Sequence, residues 1–174
     1  PGHAILNKIA KGERKATDLE NHLKSIQQNY NSEHAVMSFT TNHDENSWNG
    51  TVGERLGDAA EIMTVLTYVM PGTPLIYSGQ EYGLDKRLAF FEKDLIPKKE
   101  SSYMALFTKL NTLKKTSNAL DVGKDVASIN FLVNANADVI AFNRKKGDDT
   151  LVFVGNLYNL PQQDSLADDS TYKD

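Results

Sequence analysis

The sequence predicts an α/β fold in which strands alternate with helices up to about residue 120 and antiparallel strands follow. Two observations support this prediction. In the first part, short apolar runs that follow turn residues alternate with segments of helical apolar spacing, which is the pattern of parallel βα units. In the second part, three short apolar runs are joined by polar turns, which is typical of a small antiparallel β domain. We therefore divide the chain into residues 1–121 and 122–174.

Four segments have the apolar spacing of helices. Gly12 ends the first segment, a capped start near Thr17 opens the second, and Pro71 ends the third, which has the broadest apolar stripe. The predicted helices cover residues 3–11, 17–30, 54–70 and 102–116.

The strands and the irregular segments follow from the same pattern. The runs at 36–40 and 74–77 are predicted to be buried parallel strands, and those at 129–133, 139–143 and 151–154 antiparallel strands, with a hairpin at 145–149. Residues 45–53 and 84–101 lack periodicity and are predicted to be loops, with Phe90 and Phe91 packed inward. The polar tail after Pro161 is predicted to be frayed.

Composition excludes several classes of partner. The net charge of −4 favours neither nucleic acid nor an anionic membrane, so neither is expected as a partner. No apolar run reaches the roughly 18 residues of a membrane-spanning helix. The chain has no cysteine, which excludes disulfides and thiolate zinc sites. The start of the chain does not have the pattern of a signal peptide, and the cellular location is left open.

The most informative segment is the polar cluster at the end of the first predicted strand. Ser38-Phe39-Thr40-Thr41-Asn42-His43-Asp44 passes from an apolar run into small polar and ionisable residues. A parallel strand that ends in this way delivers a carboxylate and an imidazole to the carboxyl edge of the sheet, where barrel enzymes carry out their chemistry.

Three segments, in order, are similar to one family. Phe39 to Asp44 resembles the fourth conserved region of the α-amylase family of glycoside hydrolases, at the end of the seventh barrel strand. Residues 72–81 resemble the segment around the eighth strand, and residues 103–120 resemble the last barrel helix. The resemblance covers essentially residues 1–160. It implies a partial (β/α)8 TIM barrel, consisting of the last βα units, followed by a small antiparallel β domain.

The resemblance also implies roles for the strand-end residues. The family uses a retaining mechanism with a nucleophilic Asp, an acid Glu and a second Asp that favours the oxocarbenium-like transition state. By motif match, Asp44 would be the second Asp and His43 would bind sugar hydroxyls. Asn42 and Trp48 are further candidates for substrate binding, Asn42 more as a support for its neighbours and Trp48 as an aromatic surface for a sugar ring.

Each residue also has a structural alternative. Asp44 could cap the following segment, and His43 could be a buried histidine bonded to the backbone. Trp48 could pack the loop, and Glu45 is expected to face solvent. A metal site at His43-Asp44-Glu45 is not expected, because adjacent side chains point apart and no partner His stands at ligand spacing.

The departure from the family pattern is large. The family's nucleophile stands in a Gly-x-Arg-x-Asp-Ala setting; the Gly53-Glu54-Arg55 segment is a false match, because Arg55 and Asp58 are three residues apart, a helical spacing. The segments that carry nucleophile and acid are not found. We therefore expect part of an α-glucan-acting enzyme that hydrolyses or transfers α-glucosidic bonds, with this chain inactive alone.

The expected partners are an oligosaccharide or starch-like substrate and either a second copy of the chain or the remaining barrel segment. No cofactor is expected here, and calcium is left open for the longer enzyme. The alternatives are a non-catalytic carbohydrate-binding or assembly module and an enzyme split over two chains.

Overall fold

The computed structural model describes residues 2–29 and 34–157. It contains five α-helices and five strands in the described part of the chain, listed here in chain order. They are α1 (Gly2–Ala10), α2 (Ala16–Asn29), β1 (Met37–Ser38), α3 (Val52–Leu56), α4 (Ala60–Val69), β2 (Thr73–Pro74), α5 (Ser102–Thr116), β3 (Ser128–Phe131), β4 (Val139–Lys146) and β5 (Asp149–Asn156). Tyr30 and the tail after Pro161, for which the sequence made predictions, lie outside the described residues.

β1 and β2 form a parallel pair, with Met37 opposite Thr73. Both strands are shorter than predicted, and the prediction that they are buried was wrong, since Met37 is 56% exposed. In the described part of the chain these two strands pair with no other strand, so their outer edges are unpaired. Gly72 permits the close approach at this pair: it has φ +132, and a Cβ there would stand 2.3 Å from the Val36 carbonyl oxygen.

The predictions for the first and last helices are confirmed, and the predictions for residues 45–70 are wrong in part. α5 has the predicted bounds, and α1 ends two residues before Gly12. The predicted loop at 45–53 was wrong, because Glu45–Asn49 forms a π-helical turn and α3 begins at Val52. The predicted single helix over 54–70 is interrupted at Gly57, whose φ of +52 ends α3 before a 3₁₀ turn leads into α4.

The three later strands form an antiparallel sheet in the order β3-β4-β5. The predicted hairpin is confirmed and is tighter than expected: Lys146 pairs with Asp149, and Gly147 occupies the turn with φ +59. β4 and β5 run longer than the predicted apolar runs because the polar residues next to the turn complete the ladder, whereas β3 ends at Phe131, two residues earlier than predicted.

This sheet shares a hydrophobic cluster with the helices of the first part of the chain. Ile140, Phe142 and Phe153 pack in the same cluster as Leu19 of α2 and Met63 of α4. Within the described residues, no helix is long and apolar enough to cross a membrane.

Two cations, the buried Arg144 and the partly buried Lys114, strengthen this junction. Arg144 of β4 is fully buried and donates to the carbonyls of Val69, Met70 and Asp121. Lys114 of α5 donates to the Gly72 and Leu120 carbonyls, and burial lowers its pKa to about 8. The C-terminal end of α4 is therefore tied both to the sheet and to α5.

Candidate functional site

The segments that follow β1 and β2 meet at one edge of the parallel pair. The Gln80 side chain donates to the Thr40 hydroxyl at 2.8 Å, and its oxygen accepts from the Tyr77 amide at 3.2 Å. Thr40 and Gln80 are both buried. A buried side-chain bridge of this kind fixes the spacing of the two strand ends, because breaking it would leave polar atoms without partners.

Asn42 starts the helical turn that carries the candidate catalytic residues. Its carboxamide oxygen accepts from the Glu45 amide at 2.8 Å, and its backbone carbonyl accepts from the Asn46 amide at 3.0 Å. This is the geometry of a helix N-cap. The Asp44 side chain makes no capping hydrogen bond, so the alternative in which Asp44 is the cap is wrong.

His43 and Asp44 lie together at the surface of this turn. The His43 Nε2 atom is 3.6 Å from the Asp44 Oδ2 atom, and the side chains are 63% and 57% exposed. The alternative of a buried His43 is therefore wrong. An exposed imidazole next to an exposed carboxylate leaves both groups accessible to a ligand that arrives at the strand ends.

Arg55 is the buried centre of the support below this turn. Its guanidinium donates to the Gly50 carbonyl at 2.9 Å, the Thr40 carbonyl at 2.9 Å and the Asn7 side chain at 3.0 Å. It thus joins the end of β1, the end of the π-helical turn and α1. Burial lowers the pKa of Arg55, partly offset by the Glu45 carboxylate.

Glu45 faces inward, so the expectation that it faces solvent was wrong. It is 9% exposed, its carboxylate lies 3.4 Å from Arg55 Nη1, and it accepts from the Asn49 side chain at 3.1 Å. His3 Nε2 lies 3.4 Å from the same carboxylate, and burial lowers the pKa of His3. Asp44 and Glu45 therefore have opposite environments, one solvated and one held by a buried cation.

Trp48 is exposed and belongs to a cluster of aromatic rings. It is 57% exposed, and its ring centroid lies 5.1 Å from Phe90 and 6.2 Å from Phe91. The prediction that Phe90 and Phe91 pack inward was wrong, since they are 38% and 85% exposed. The Phe90 centroid lies 5.7 Å from the His43 ring, so the cluster adjoins the His43–Asp44 pair.

The loop at 84–101 is fastened to the π-helical turn by side-chain contacts. Asn46 donates to the Lys86 carbonyl at 3.0 Å and accepts from the Leu88 amide at 2.8 Å, while Ser47 donates to the Leu88 carbonyl at 2.8 Å. Arg87 also forms a two-bond ion pair with Glu54, at 3.0 Å for each bond. These contacts hold the phenylalanines of the loop beside Trp48.

In the described residues, the His, Asp and Glu side chains do not gather into a group that could hold a metal ion. Over 2–29 and 34–157, no three His, Asp or Glu side chains converge as metal ligands. His43, Asp44 and Glu45 in particular diverge, because Glu45 points towards Arg55 while the other two face solvent.

Solved structures of known enzymes share this fold. The noncanonic maltogenic α-amylase AmyB from Thermotoga neapolitana superposes with a TM-score of 0.75 at 22% identity, over 90% of this chain and 36% of that one. An α-amylase from Lactobacillus plantarum superposes with a TM-score of 0.70 at 18% identity, over 86% of this chain and 34% of that one. The cyclic α-maltosyl-(1→6)-maltose hydrolase from Arthrobacter globiformis superposes with a TM-score of 0.67 at 18% identity, over 88% of this chain and 35% of that one.

The chain thus shares the fold of the matching part of these TIM-barrel structures and spans about a third of their length. The model of the α-amylase catalytic domain matches residues 5–131, which is most of the chain. The protein belongs to the α-amylase family of glycoside hydrolases, as the strand-end motif indicated. No curated protein sequence gives a significant match.

Proposed function

We propose that this chain supplies the part of an α-glucan-acting site that holds the sugar and stabilises the transition state. Asp44 is the second, non-nucleophilic Asp, and His43 binds sugar hydroxyls. The observation that carries the proposal is the joint exposure of His43 and Asp44 at the strand ends, above a turn fixed by Arg55. Asn42 caps the turn that carries His43 and Asp44 and so holds them in position. Trp48 offers an aromatic face to a sugar ring.

The chemistry of each group fits its position. A fixed carboxylate near a sugar ring that develops positive charge interacts more strongly with the transition state than with the ground state. Because the Asp44 carboxylate makes no capping hydrogen bond, it can face a substrate. An imidazole that binds two hydroxyls fixes the orientation of the ring before reaction.

The proposal includes a division of the chain. Residues 1–121 are the last βα units of the catalytic barrel, and residues 122–174 are the C-terminal β domain. The match of the catalytic-domain model through residue 131 and the start of the antiparallel sheet at Ser128 support a boundary in this region. The nucleophile and the acid are supplied by barrel segments that this sequence does not contain, so the chain alone is inactive.

Two measurements test the proposal. The chain, titrated calorimetrically with maltooligosaccharides, is expected to bind them, and His43→Ala is expected to weaken binding. Soluble starch and nitrophenyl maltosides are expected to remain unhydrolysed. When the chain is part of a complete barrel, Asp44→Asn is expected to lower kcat about a hundredfold or more, with a much smaller change in KM.

The outcomes separate the alternatives. Robust turnover by the chain alone would refute the proposal that its catalytic site is incomplete. An unchanged kcat for Asp44→Asn would favour a non-catalytic carbohydrate-binding or assembly module, which the exposed aromatic cluster beside His43 also supports. Copurification of a second chain that carries the remaining barrel would indicate a split enzyme.

A further inference from the structure

Lys114 of α5 is a partly buried amine at the junction between the helices and the antiparallel sheet. Its Nζ atom donates to the Gly72 carbonyl at 2.9 Å and to the Leu120 carbonyl at 2.7 Å. Gly72 stands just before β2, so this contact lies where the parallel pair begins, whereas His43 and Asp44 follow the end of β1. The proposed catalytic chemistry does not use Lys114.

The contacts of Lys114 satisfy a neutral amine better than a charged one. An ammonium group has three N–H donors, whereas a neutral primary amine has two donors and a lone pair. Both donors of the neutral form meet a carbonyl oxygen, and the third proton of the charged form has no acceptor among the described residues. A donor without a partner in a partly buried place disfavours the form that carries it. The lone pair of the neutral amine is a nucleophile.

The charges around Lys114 act in the same direction. The fully buried Arg144 guanidinium and the Lys114 amine bind carbonyls of the same two backbone segments, 69–72 and 120–121. Burial and the Arg144 charge lower the pKa of Lys114 to about 8, and the Asp121 charge acts in the opposite direction. A desolvated lysine next to another cation is an arrangement that activates an amine as a nucleophile.

Negative charge is scarce at this junction. Three cationic side chains lie there with one carboxylate, which belongs to Asp121 and is already paired with Lys146. The hydrogen bonds of Arg144 within the described residues all go to carbonyl oxygens, and its buried Nε atom has no partner there. A negative charge on Lys114 would turn its repulsion by Arg144 into attraction.

Carbon dioxide is the electrophile that fits these conditions. It is small and uncharged, so it can reach a partly buried amine, and its product is an anion. The Lys114 nitrogen forms a bond to the carbon atom, one C=O π bond becomes a C–O⁻ group, and a proton of the nitrogen passes to solvent. The resulting carbamate keeps one N–H, so one of the Gly72 and Leu120 carbonyls loses its donor. The attraction gained at Arg144 has to offset this loss.

We propose that Lys114 is a carbamate-forming site, at which carbon dioxide binds reversibly and covalently to the amine and places a negative charge beside Arg144. The site is separate from sugar binding. It links the stability of the junction to the concentration of carbon dioxide, because a ligand that binds the folded chain more tightly than the unfolded chain stabilises the fold.

The experiment traps the carbamate on the full chain. The chain is equilibrated with ¹³C-labelled bicarbonate, the carbamate is converted to its ethyl ester with a trialkyloxonium salt, and the labelled peptides are identified by mass spectrometry. At about pH 7.5 an amine with a pKa of about 8 is about one quarter neutral, and an ordinary lysine about one thousandth. The control is Lys115, the next residue of α5, which is exposed. The label at Lys114 is expected to exceed that at Lys115 about tenfold or more.

Two variants test the origin of the label. Lys114→Arg keeps a cation with several donors but has no amine, so it is expected to remove the label. It should also remove the rise in melting temperature that bicarbonate gives relative to chloride at equal ionic strength. Lys146→Met leaves Asp121 without its cation, and because the Asp121 charge raises the pKa of Lys114, the label is expected to fall about twofold to fivefold. The Lys146 side chain is 35% exposed, so this variant is expected to fold.

Three results would overturn the proposal. The first is equal label at Lys114 and Lys115, or none at Lys114. The second is a bicarbonate effect on melting that persists in Lys114→Arg. The third is an unchanged label in Lys146→Met, which would remove the electrostatic basis of the site. None of these measurements depends on glucan binding, so they leave the proposed function of His43 and Asp44 to its own tests.

Discussion

Replacement of Arg55 is expected to be among the most destabilising single changes near the site. Arg55→Met removes the donors of two backbone carbonyls, at Gly50 and Thr40, and leaves Glu45 without its buried cation. Each unsatisfied buried carbonyl costs about 1–3 kcal/mol. Loss of one partner of a buried ion pair costs about 3–5 kcal/mol. The two effects overlap, so we expect the free energy of unfolding to fall by about 3–5 kcal/mol.

The assay is urea unfolding, followed by the emission of Trp48 and by circular dichroism. Trp48 lies in the turn that Arg55 supports, so its emission reports on that turn directly. The control is Arg14→Met, because Arg14 forms an ion pair with Asp18 at 3.0 Å in which its own side chain is 54% exposed. Pairs of this kind contribute about 0–1 kcal/mol, and the change in stability is expected to be in this range.

Two further variants test the reasoning. Arg55→Lys keeps the charge but loses the planar fork that reaches three acceptors, so it is expected to recover less than half of the lost stability. Combined with Glu45→Gln, the Arg55→Met change is expected to cost less than the sum of the single changes, because the uncompensated carboxylate is gone. If Arg55→Met lowered the free energy of unfolding by less than about 1 kcal/mol, the interpretation of Arg55 as the buried centre of this support would be refuted.

The remaining predictions concern association and pH. The chain is expected to self-associate through the open β1–β2 pair, which sedimentation velocity would detect. Met37→Lys is expected to weaken this association, whereas the control Val133→Lys, at a site that is 71% exposed and distant in sequence, is not. A monomer at all concentrations would contradict the prediction. Burial lowers the pKa of His3 and of His22 below the usual 6.5. The unfolded chain therefore binds more protons below pH 6.5, and stability is expected to fall as the pH drops from about 7 to 5.5. His3→Gln combined with His22→Gln should flatten this dependence in urea titrations; an unaltered slope would exclude both residues as its source.

The part of the fold that local patterns determine could be predicted from the sequence. The bounds of α5 follow from a continuous apolar stripe with a serine at its start, and the β4–β5 hairpin follows from alternation around Gly147. The strand-end position of His43 and Asp44 was also visible, because an apolar run ends there. These features depend on neighbours within a few residues, and periodicity reports them well.

The support of the site could not be predicted in the same way. Arg55 reaches Asn7, 48 residues away, and Thr40, 15 residues away, and no local pattern reports such contacts. One signal was present: Arg55 stands three residues after Val52 and one before Leu56, on the apolar side of α3, where a cation needs buried partners. Phe90 and Phe91 were assigned to the core on hydrophobicity alone, which does not distinguish a packed ring from an exposed one.

The shared packing of the antiparallel sheet and the helices affects how the molecule can move. Because Arg144 is bonded to the carbonyls of Val69 and Met70 and Phe142 lies in the common cluster, we expect the proposed boundary near residue 121 to be a rigid joint and not a hinge. We therefore expect the antiparallel sheet to remain fixed relative to the end of α4 and to support the strand ends from behind.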